Sequence, residues 1–141
     1  MEIQQYSKAY HTDHSIVYSC QYHVIWCSKY RRKILNESVA QRLKELILEK
    51  QEEYKYSVIE LEIMPDHVHL FVQADHTTAP VHIAQTLKSI SAVHIFHAFP
   101  KLKRRKFWGS GLWSRGTYYA TGGHISEAVI RQYIESQKTR S

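Results

Sequence analysis

Residues 59–73 read IELEIMPDHVHLFVQ, and this stretch decides the fold. Apolar and polar residues alternate on both sides of Met64-Pro65-Asp66, which is the pattern of two half-buried β-strands. Proline presets the backbone for a turn and an aspartate side chain can close one, so the break predicts a tight hairpin. The residues expected to face the core are Ile59, Leu61 and Ile63 in the first strand and Val68, Leu70 and Val72 in the second.

Similar patterns on either side of the hairpin predict the remaining elements. They are a long strand over 16–28, a helix opened by Ser38 that runs to about residue 54, a helix from Ala79-Pro80 toward Phe99, a strand near 112–120 and a last helix capped by Ser126 that runs to about residue 138. Residues 101–106 are expected to form a basic loop. The order β-α-β-β-α-β is the split βαβ, ferredoxin-like arrangement. The sequence therefore predicts an α+β fold: a four-stranded antiparallel sheet with two helices on one face and an extra C-terminal helix.

The length of 141 residues fits a single domain over 1–141, with an N-terminal tail over about 1–14. Thr121-Gly122-Gly123 predicts a hinge before the last helix, which then occupies about 124–141. The sequence has no apolar run long enough to span a bilayer and no signal-peptide pattern, so we expect a cytoplasmic protein. Cys20 and Cys27 lie on opposite faces of the first strand and are expected to be reduced thiols.

The charge of the chain favours a nucleic-acid partner. Lys and Arg number 19 against 13 Asp and Glu, which gives a net charge of +6. Nine of the basic residues fall in two short clusters, at 29–33 and 101–106, and aromatic residues flank or interrupt both. Clustered cations suit phosphates and aromatic faces suit unstacked bases, so the mixture indicates single-stranded nucleic acid.

Two pairs of residues carry the candidate chemistry. His67 and His69 are two positions apart in a strand, so their imidazoles project from the same face and can bind a metal ion. A chain with ten histidines also produces such a pair by chance. Tyr133 and Gln137 are four positions apart in the last helix and share a face, although a tyrosine on an amphipathic helix is more often a packing residue. No role is assigned to His11, His14, His23, His76, His82, His94, His97 and His124, which are expected at the surface or on a helix face.

Four stretches in the same order and spacing resemble a known family. They are Trp26–Arg32, Met64–Leu70, Phe107–Trp113 and Ile130–Gln137. Over nearly its whole length the chain resembles the single-tyrosine HUH transposases of the insertion-sequence 200/605 family (TnpA type). The resemblance implies that His67 and His69 are metal ligands, that Gln137 is the third protein ligand and that Tyr133 is the nucleophile.

The resemblance also implies a reaction and its partners. The enzyme would cleave and rejoin single-stranded DNA with subterminal hairpins through a 5′-phosphotyrosine, with Mg²⁺ or Mn²⁺ as cofactor. It would form a homodimer in which Tyr133 acts in trans with His67 and His69, although the residues alone leave cis and trans docking open. We expect DNA contacts from Lys29, Arg31, Arg32, Lys103, Arg104, Arg105 and Arg115. No membrane partner is expected.

Three other functions remain open from the sequence. Ferredoxin-like sheets with exposed aromatic residues also serve as non-catalytic modules for single-stranded nucleic acid, which do not need the His pair, Tyr133 and Gln137 together. A domesticated relative that processes repeated hairpins without mobilising itself would use identical chemistry. A structural zinc protein fits least, because closed zinc sites use four ligands, commonly including cysteine, and the two cysteines are far from His67 in register.

Overall fold

The antiparallel sheet at the centre of the fold places the candidate site. A computed structural model describes residues 2–4, 11–13, 16–106 and 111–137, with side chains over 19–104 and 111–137. The strands are β1 (Glu2–Gln4), β2 (His11–Asp13), β3 (Ile16–Tyr18), β4 (Gln21–Cys27), β5 (Tyr56–Met64), β6 (His67–Ala74) and β7 (Tyr118–Thr121). The helices are α1 (Glu37–Glu49), α2 (Pro80–Ala98), α3 (Pro100–Lys106) and α4 (Glu127–Ser136), with a short 3-10 helix over Lys29–Arg31.

The predicted βαββαβ order is confirmed by β4, α1, β5, β6, α2 and β7. These strands and β1 form one antiparallel sheet in the order β1-β5-β6-β4-β7, so the β5–β6 hairpin lies next to β4 at the centre. The tight turn predicted at Met64-Pro65-Asp66 is present, because Met64 pairs directly with His67 across it. The sheet has five strands rather than four, since residues 2–4 of the expected N-terminal tail pair with β5.

The prediction of one continuous strand over 16–28 is wrong. The strand is divided at Ser19-Cys20, and β3 pairs with β2 in a separate two-stranded sheet. The strand predicted near 112–120 is also shorter, with a single bridge between Ser28 and Trp113 before β7 begins. Between this bridge and β7, the backbone carbonyls of 114–116 accept hydrogen bonds from the Lys88 ammonium and not from a neighbouring strand.

Three further boundaries differ from the sequence prediction. Helix α1 is capped by Asn36, whose side chain accepts from the backbone N–H of Val39 at 3.0 Å, and not by Ser38. It ends at Glu49 because a turn follows, closed by Lys55 with a φ of 59°. In β5 an irregularity between Val58 and Glu60 shifts the register, so Val58 rather than Ile59 is buried in the core.

The segment 101–106 is the helix α3 and not a loop. Pro100 occupies its first position, where the missing N–H costs little, and lysine and arginine are good helix formers. The C-terminal helix starts at the predicted cap, because Ser126 accepts from the backbone N–H of Val129 at 3.2 Å. Phe107–Ser110, part of a motif quoted above, and residues 138–141 lie outside the described residues, as does the Arg105 side chain.

The two faces of the sheet have different surroundings. One face packs against α1 and α2 and forms the hydrophobic core, to which fully buried residues such as Leu43, Leu70 and Leu87 belong. Burying each such side chain contributes about 1.5–3 kcal/mol relative to leaving it exposed. The opposite face carries His67 and His69. Among the helices of the described ranges, none is long and apolar enough to cross a bilayer.

Candidate active site

The face of the sheet opposite the core brings the two candidate metal ligands together. Residues paired across an antiparallel ladder share a face, and β6 pairs His67 with Cys27, His69 with Ile25 and Phe71 with His23. Val68, between the histidines, is fully buried in the core. The predicted orientation of His67 and His69 toward one face therefore agrees with the strand register. Ile25 and Cys27 have no exposed surface, so a further layer covers this face.

Asp66 orients His67 from the turn before β6. The Nδ1–H of His67 donates to Oδ1 of Asp66 at 2.9 Å, which leaves Nε2 with its lone pair. The hydrogen bond from His67, helped by the nearby Arg31 guanidinium, holds the pKa of Asp66 below its usual value. A carboxylate behind an imidazole is a common support for a metal-binding histidine. Asp66 thus fixes the orientation of the His67 ring, with Nε2 directed away from the carboxylate.

His69 contacts His23, a further histidine on the neighbouring strand β4. Its Nε2 is 2.8 Å from Nδ1 of His23, and the two ring centroids are 5.0 Å apart. Burial, with His23 and His67 nearby, lowers the pKa of His69 to about 4. His69 is therefore neutral at pH 7, as a metal ligand must be.

Tyr133 and Gln137 meet over the backbone of Gly116. A Cβ added at Gly116 would lie 2.9 Å from Oε1 of Gln137 and 3.4 Å from the Tyr133 hydroxyl oxygen. The Tyr133 ring is also 5.5 Å from the ring of Tyr118, measured between centroids. Tyr118 and His69 pair with Ile25 from its two sides, so their backbones are two strand spacings apart, roughly 10 Å.

Arg31 connects the tyrosine helix to the histidine face. Its guanidinium donates to Asp66 at 3.3 Å and lies 3.6 Å from the Glu135 carboxylate on α4. Tyr30 and Arg31 have φ values of 61° and 54°, a left-handed backbone that costs a non-glycine residue on the order of 1 kcal/mol. The surrounding contacts maintain this conformation, so Arg31 reaches both carboxylates.

Helix α4 lies against the sheet of its own chain. A cavity of about 420 Å³ separates its first turns from the sheet, with Ile130 on one wall and Glu62, His69 and Phe71 on the other. Ile134 and Gln137, farther along α4, are almost completely buried in the single chain. All four predicted site residues therefore belong to one face of the molecule.

The predicted DNA contacts divide into three groups. Arg31 is committed to Asp66 and Glu135 and is only partly available to a phosphate. Lys29 and Arg32 hold their cationic groups over the Tyr30 ring at 5.8 and 5.0 Å, beside the site. Lys103, Arg104 and Arg115 are exposed on or after α3, and the Arg105 side chain lies outside the described residues.

The candidate ligand atoms, which are two imidazole nitrogens and one amide oxygen, fit a divalent cation. Within the described ranges, no three His, Cys, Asp or Glu side chains by themselves form a group that could hold a metal ion. If His67 and His69 hold a metal ion, a third ligand from the described residues would be of another type. Oε1 of Gln137 is buried and accepts no hydrogen bond from the described residues, a costly state for a carboxamide oxygen. Two imidazoles and one amide oxygen suit Mn²⁺ and tolerate Mg²⁺.

The sequence missed three residues that shape the site. His23, expected at the surface, is 4% exposed and contacts His69. Gly116 leaves the space in which Gln137 and Tyr133 lie. Lys88 of α2 donates to the carbonyls of Gly116 and of the two residues before it, and this holds the segment in place. Their spacing in sequence gives no signal, because each contacts residues that are far away in the chain.

Comparison with known proteins identifies the family. A family profile described as "Transposase IS200 like" matches residues 16–137, which is most of the chain. The chain belongs to the IS200-like transposase family. It is 40% identical over 121 residues to the ISDra2 transposase TnpA of Deinococcus radiodurans, and the match covers 86% of each protein. DNA transposition is therefore the activity of the family to which this transposase belongs.

Two solved structures resemble this IS200-like transposase. A crystal structure of a protein from Deinococcus radiodurans R1, assigned as a transposase, matches with a TM-score of 0.82 and 35% identity over 90% of this chain and 97% of the other. The structure of a REP-associated tyrosine transposase bound to a REP hairpin matches with a TM-score of 0.56 over 94% of this chain and 69% of the other. At 13% identity the second match concerns the fold alone. The α+β sheet architecture is thus that of tyrosine transposases.

Gly116→Ala is expected to impair the site with little effect on folding. The added methyl group would lie 2.9 Å from Oε1 of Gln137, so the flexible carboxamide must move while the backbone can stay. A displacement of about 1 Å at a reacting group can cost on the order of a hundredfold in rate. We expect a loss of this size in covalent-adduct formation, measured with Mn²⁺, at an unchanged unfolding temperature. Gly111→Ala is the matched control, because no atom of the described residues lies within 4 Å of its added methyl group. Equal activity of the two variants would contradict the prediction.

Proposed function

We propose that this transposase cleaves and rejoins single-stranded DNA with Tyr133 as nucleophile and a divalent metal ion as cofactor. The observation that carries the proposal is the meeting of the Tyr133 hydroxyl and the Gln137 carboxamide over Gly116, on the helix that covers the face with His67 and His69. A binding module would need neither a buried amide oxygen that accepts no hydrogen bond from the described residues nor two oriented imidazoles beside a tyrosine.

Tyr133 would attack the scissile phosphate in line with the departing sugar oxygen. The new bond joins the phenol oxygen to phosphorus, and the bond to the 3′ oxygen breaks. The phenol proton leaves and the 3′ oxygen gains one, so the products are a 5′-phosphotyrosine and a free 3′-OH. Free tyrosine has a pKa of about 10, so the phenol must lose its proton during the attack. Because the ester retains the energy of the broken bond, another 3′-OH can reverse the step and join strands without ATP.

His67, His69 and Gln137 would hold Mg²⁺ or Mn²⁺. When bound, the ion would offset negative charge on the phosphate and orient it toward the nucleophile. Asp66 and His23 keep the two imidazoles in fixed orientations through their hydrogen bonds. Gly116 fixes where the Gln137 oxygen and the Tyr133 hydroxyl can lie. The protein's own contribution is therefore to position ligands and nucleophile before DNA arrives.

We infer that the substrate is cytoplasmic single-stranded DNA with subterminal hairpins. The net charge of +6 and the exposed cations Lys103, Arg104 and Arg115 favour a polyanion. Lys29, Arg32 and the exposed Tyr30 ring lie next to the site and suit a backbone with an unstacked base. A protein of the same fold has been captured with a REP hairpin, which agrees with a folded DNA end as the recognised element.

The proposed assembly is a homodimer in which Tyr133 acts in trans. In the single chain α4 follows Gly122, whose φ of 88° favours glycine, and it lies on its own sheet. An exchange of α4 between two chains would form the same contacts with residues of the partner, because the two surfaces are identical. The proposed hinge at Gly122-Gly123 is where the chain would diverge. The proposed domain extends over the whole chain, from the N-terminal segment to the helix after this hinge.

A covalent-adduct assay tests the function. End-labelled single-stranded DNA carrying the hairpins that flank the gene is mixed with protein and Mg²⁺ or Mn²⁺ and run on a denaturing gel. We expect the label to migrate with the protein, and to be lost with Tyr133→Phe or with EDTA. Tyr118→Phe is the matched control, since its ring is 5.5 Å from that of Tyr133 but carries no assigned role in the reaction. An adduct that persists in Tyr133→Phe, or binding of the DNA without any adduct, would refute the proposal.

A further inference from the structure

We propose that Tyr30 is the stacking platform for one unpaired base of the DNA strand, at a nucleotide next to the scissile phosphate. The inference rests on the proposed function, because it takes single-stranded DNA to be the substrate. It goes further by naming the side chain that holds the strand and the kind of contact that it makes. It also predicts that this contact requires a base but does not depend on which base is present.

The Tyr30 ring is more open to solvent than the other tyrosines with described side chains. It is 52% exposed, whereas those tyrosines are buried or half-buried. Tyrosine offers a large and rigid contact area that loses little conformational freedom on binding. An exposed aromatic ring can therefore stack on a partner that is itself flat and aromatic.

The backbone of the turn that contains Tyr30 is fixed. Tyr30 and Arg31 both have positive φ values, and successive left-handed residues other than glycine persist only where the surroundings impose them. The backbone N–H of Lys29 donates to the Leu112 carbonyl at 2.8 Å, and that of Arg31 donates to the Ser28 carbonyl at 2.9 Å. Strained backbone of this kind clusters at ligand contacts. The ring is thus presented by a preformed turn, which lowers the entropy lost when a base binds.

The register of the sheet places this turn beside the histidine pair. Cys27 pairs with His67 across β4 and β6, and Tyr30 follows Cys27 by three positions. Paired Cα atoms are about 5 Å apart and three further residues span at most about 11 Å, so the Cα atoms of Tyr30 and His67 are within about 17 Å. The next residue, Arg31, donates to Asp66 at 3.3 Å. A base on Tyr30 would therefore belong to a nucleotide close to a phosphate at His67.

Two cationic side chains lie beside the same ring. Nζ of Lys29 is 5.8 Å and Cζ of Arg32 is 5.0 Å from the centroid of the Tyr30 ring. A cation–π contact at an exposed site is weaker than the stacking of a base on an aromatic ring. An incoming base would therefore take the face of the ring, and the two long side chains would turn to the phosphates on either side of it. Every base has a π-face, so the contact tolerates any base.

Substitutions at two neighbouring positions separate stacking from charge. Tyr30→Phe and Tyr30→Trp keep an aromatic face. Tyr30→Asn removes it, and asparagine tolerates a left-handed backbone, so the turn should keep its shape. Lys29→Met is the matched control, because it removes a cation beside the ring and leaves the ring in place. The unfolding temperature of each variant checks that it is folded.

The measurement is the metal-free affinity for end-labelled single-stranded DNA that carries the hairpins flanking the gene, with each unpaired nucleotide beside the hairpins replaced in turn by an abasic one. We expect one position at which loss of the base weakens binding to the wild type about 5- to 150-fold. Tyr30→Asn should bind intact DNA more weakly by a similar factor and should be insensitive to the abasic nucleotide at that position. Exchange of the base for another base should have a much smaller effect.

The control variants should behave differently from Tyr30→Asn. Tyr30→Phe and Tyr30→Trp should show the same abasic effect as the wild type. Lys29→Met should also retain it, and should lower the slope of log affinity against log salt concentration by about 0.7, the value for one lost phosphate contact on a single strand. Tyr30→Asn should leave this slope unchanged.

Several results would overturn the inference. They are equal abasic effects in Tyr30→Asn and the wild type at every position, an equal loss of affinity in Tyr30→Phe and Tyr30→Asn, or a sensitive nucleotide remote from the bond that is cleaved in the adduct assay. A changed oligomeric state of Tyr30→Asn with wild-type DNA affinity would also overturn it and assign the ring to a protein contact. Failure of the proposed function is distinguishable, because the expected abasic pattern without any covalent adduct would refute the cleavage reaction and leave the platform in place.

Discussion

His67→Ala is expected to lower the rate of adduct formation by roughly a thousandfold. A bound cation typically contributes several kcal/mol to stabilising the charge of a transition state, and each 1.36 kcal/mol is a factor of ten in rate. Removal of His67 takes away one ligand and also removes the hydrogen bond to Oδ1 of the buried Asp66 carboxylate, to which only the Arg31 guanidinium then donates among the described contacts. Metal-free binding of single-stranded DNA should be nearly unchanged, because the cationic residues remain. The measurement is the single-turnover adduct rate together with Mn²⁺ affinity.

Two comparisons make the His67→Ala result specific. His124→Ala removes an exposed imidazole from the same cavity and should keep the wild-type rate. A mixed dimer of His67→Ala chains and Tyr133→Phe chains combines one intact His pair with one intact tyrosine. If Tyr133 acts in trans, such dimers regain activity at one of their two sites, whereas cis action leaves them inactive. A wild-type rate for His67→Ala itself would refute its role as a ligand.

Lys88→Met is expected to destabilise the fold by about 3 kcal/mol, a loss of roughly 10 °C in unfolding temperature. The Lys88 ammonium donates to the carbonyls of Ser114, Arg115 and Gly116 and to the Thr117 hydroxyl, at 2.9 to 3.3 Å. Methionine keeps the apolar stem but leaves these acceptors without a donor, and hydrogen bonds to charged groups contribute about 1.5–3 kcal/mol each. Urea denaturation gives the change in the free energy of unfolding.

The same substitution should also disturb the site, because Gly116 lies within the segment that Lys88 holds. We expect adduct formation in Lys88→Met to fall at temperatures where the protein is still folded. Lys88→Arg retains the charge and should recover part of the stability. Lys44→Met, on α1, removes a lysine remote from this segment and should change stability by less than about 0.5 kcal/mol. Equal stabilities of Lys88→Met and wild type would contradict the prediction.

Local patterns in the sequence were sufficient for the elements that local physics determines. The parity of His67 and His69, the turn at Pro65-Asp66 and the serine cap at Ser126 depend only on residues within a few positions. Each is present as predicted. The α3 helix was missed although its Pro100 start is a local signal, because a run of like charges was interpreted as a solvated loop.

Long-range register accounts for what the sequence did not reveal. The irregularity between Val58 and Glu60 changes which residues of β5 face the core. The alternation of apolar and polar residues in the sequence does not reveal it. His23 lies next to His69 only because β4 and β6 pair in one particular register. Gly116 and Gln137 are 21 positions apart, and nothing in their spacing predicts that a missing Cβ makes room for a carboxamide. The shared face of His67 and His69 was therefore predictable, and the contacts that surround the candidate site were not.

The ion pairs of Arg31 with two carboxylates couple the position of α4 to the charge beside the histidine face. Glu135 belongs to α4, so displacement of the helix withdraws one negative charge from the guanidinium while Asp66 stays in place. When α4 moves away, the net charge beside the histidine face becomes more positive by one unit. The uncovered face should therefore attract an anion more strongly than the covered one. A DNA phosphate that takes the position of Glu135 would in turn oppose the return of the helix. If Arg31 contacts DNA as proposed, the DNA backbone and α4 would compete for the same cation.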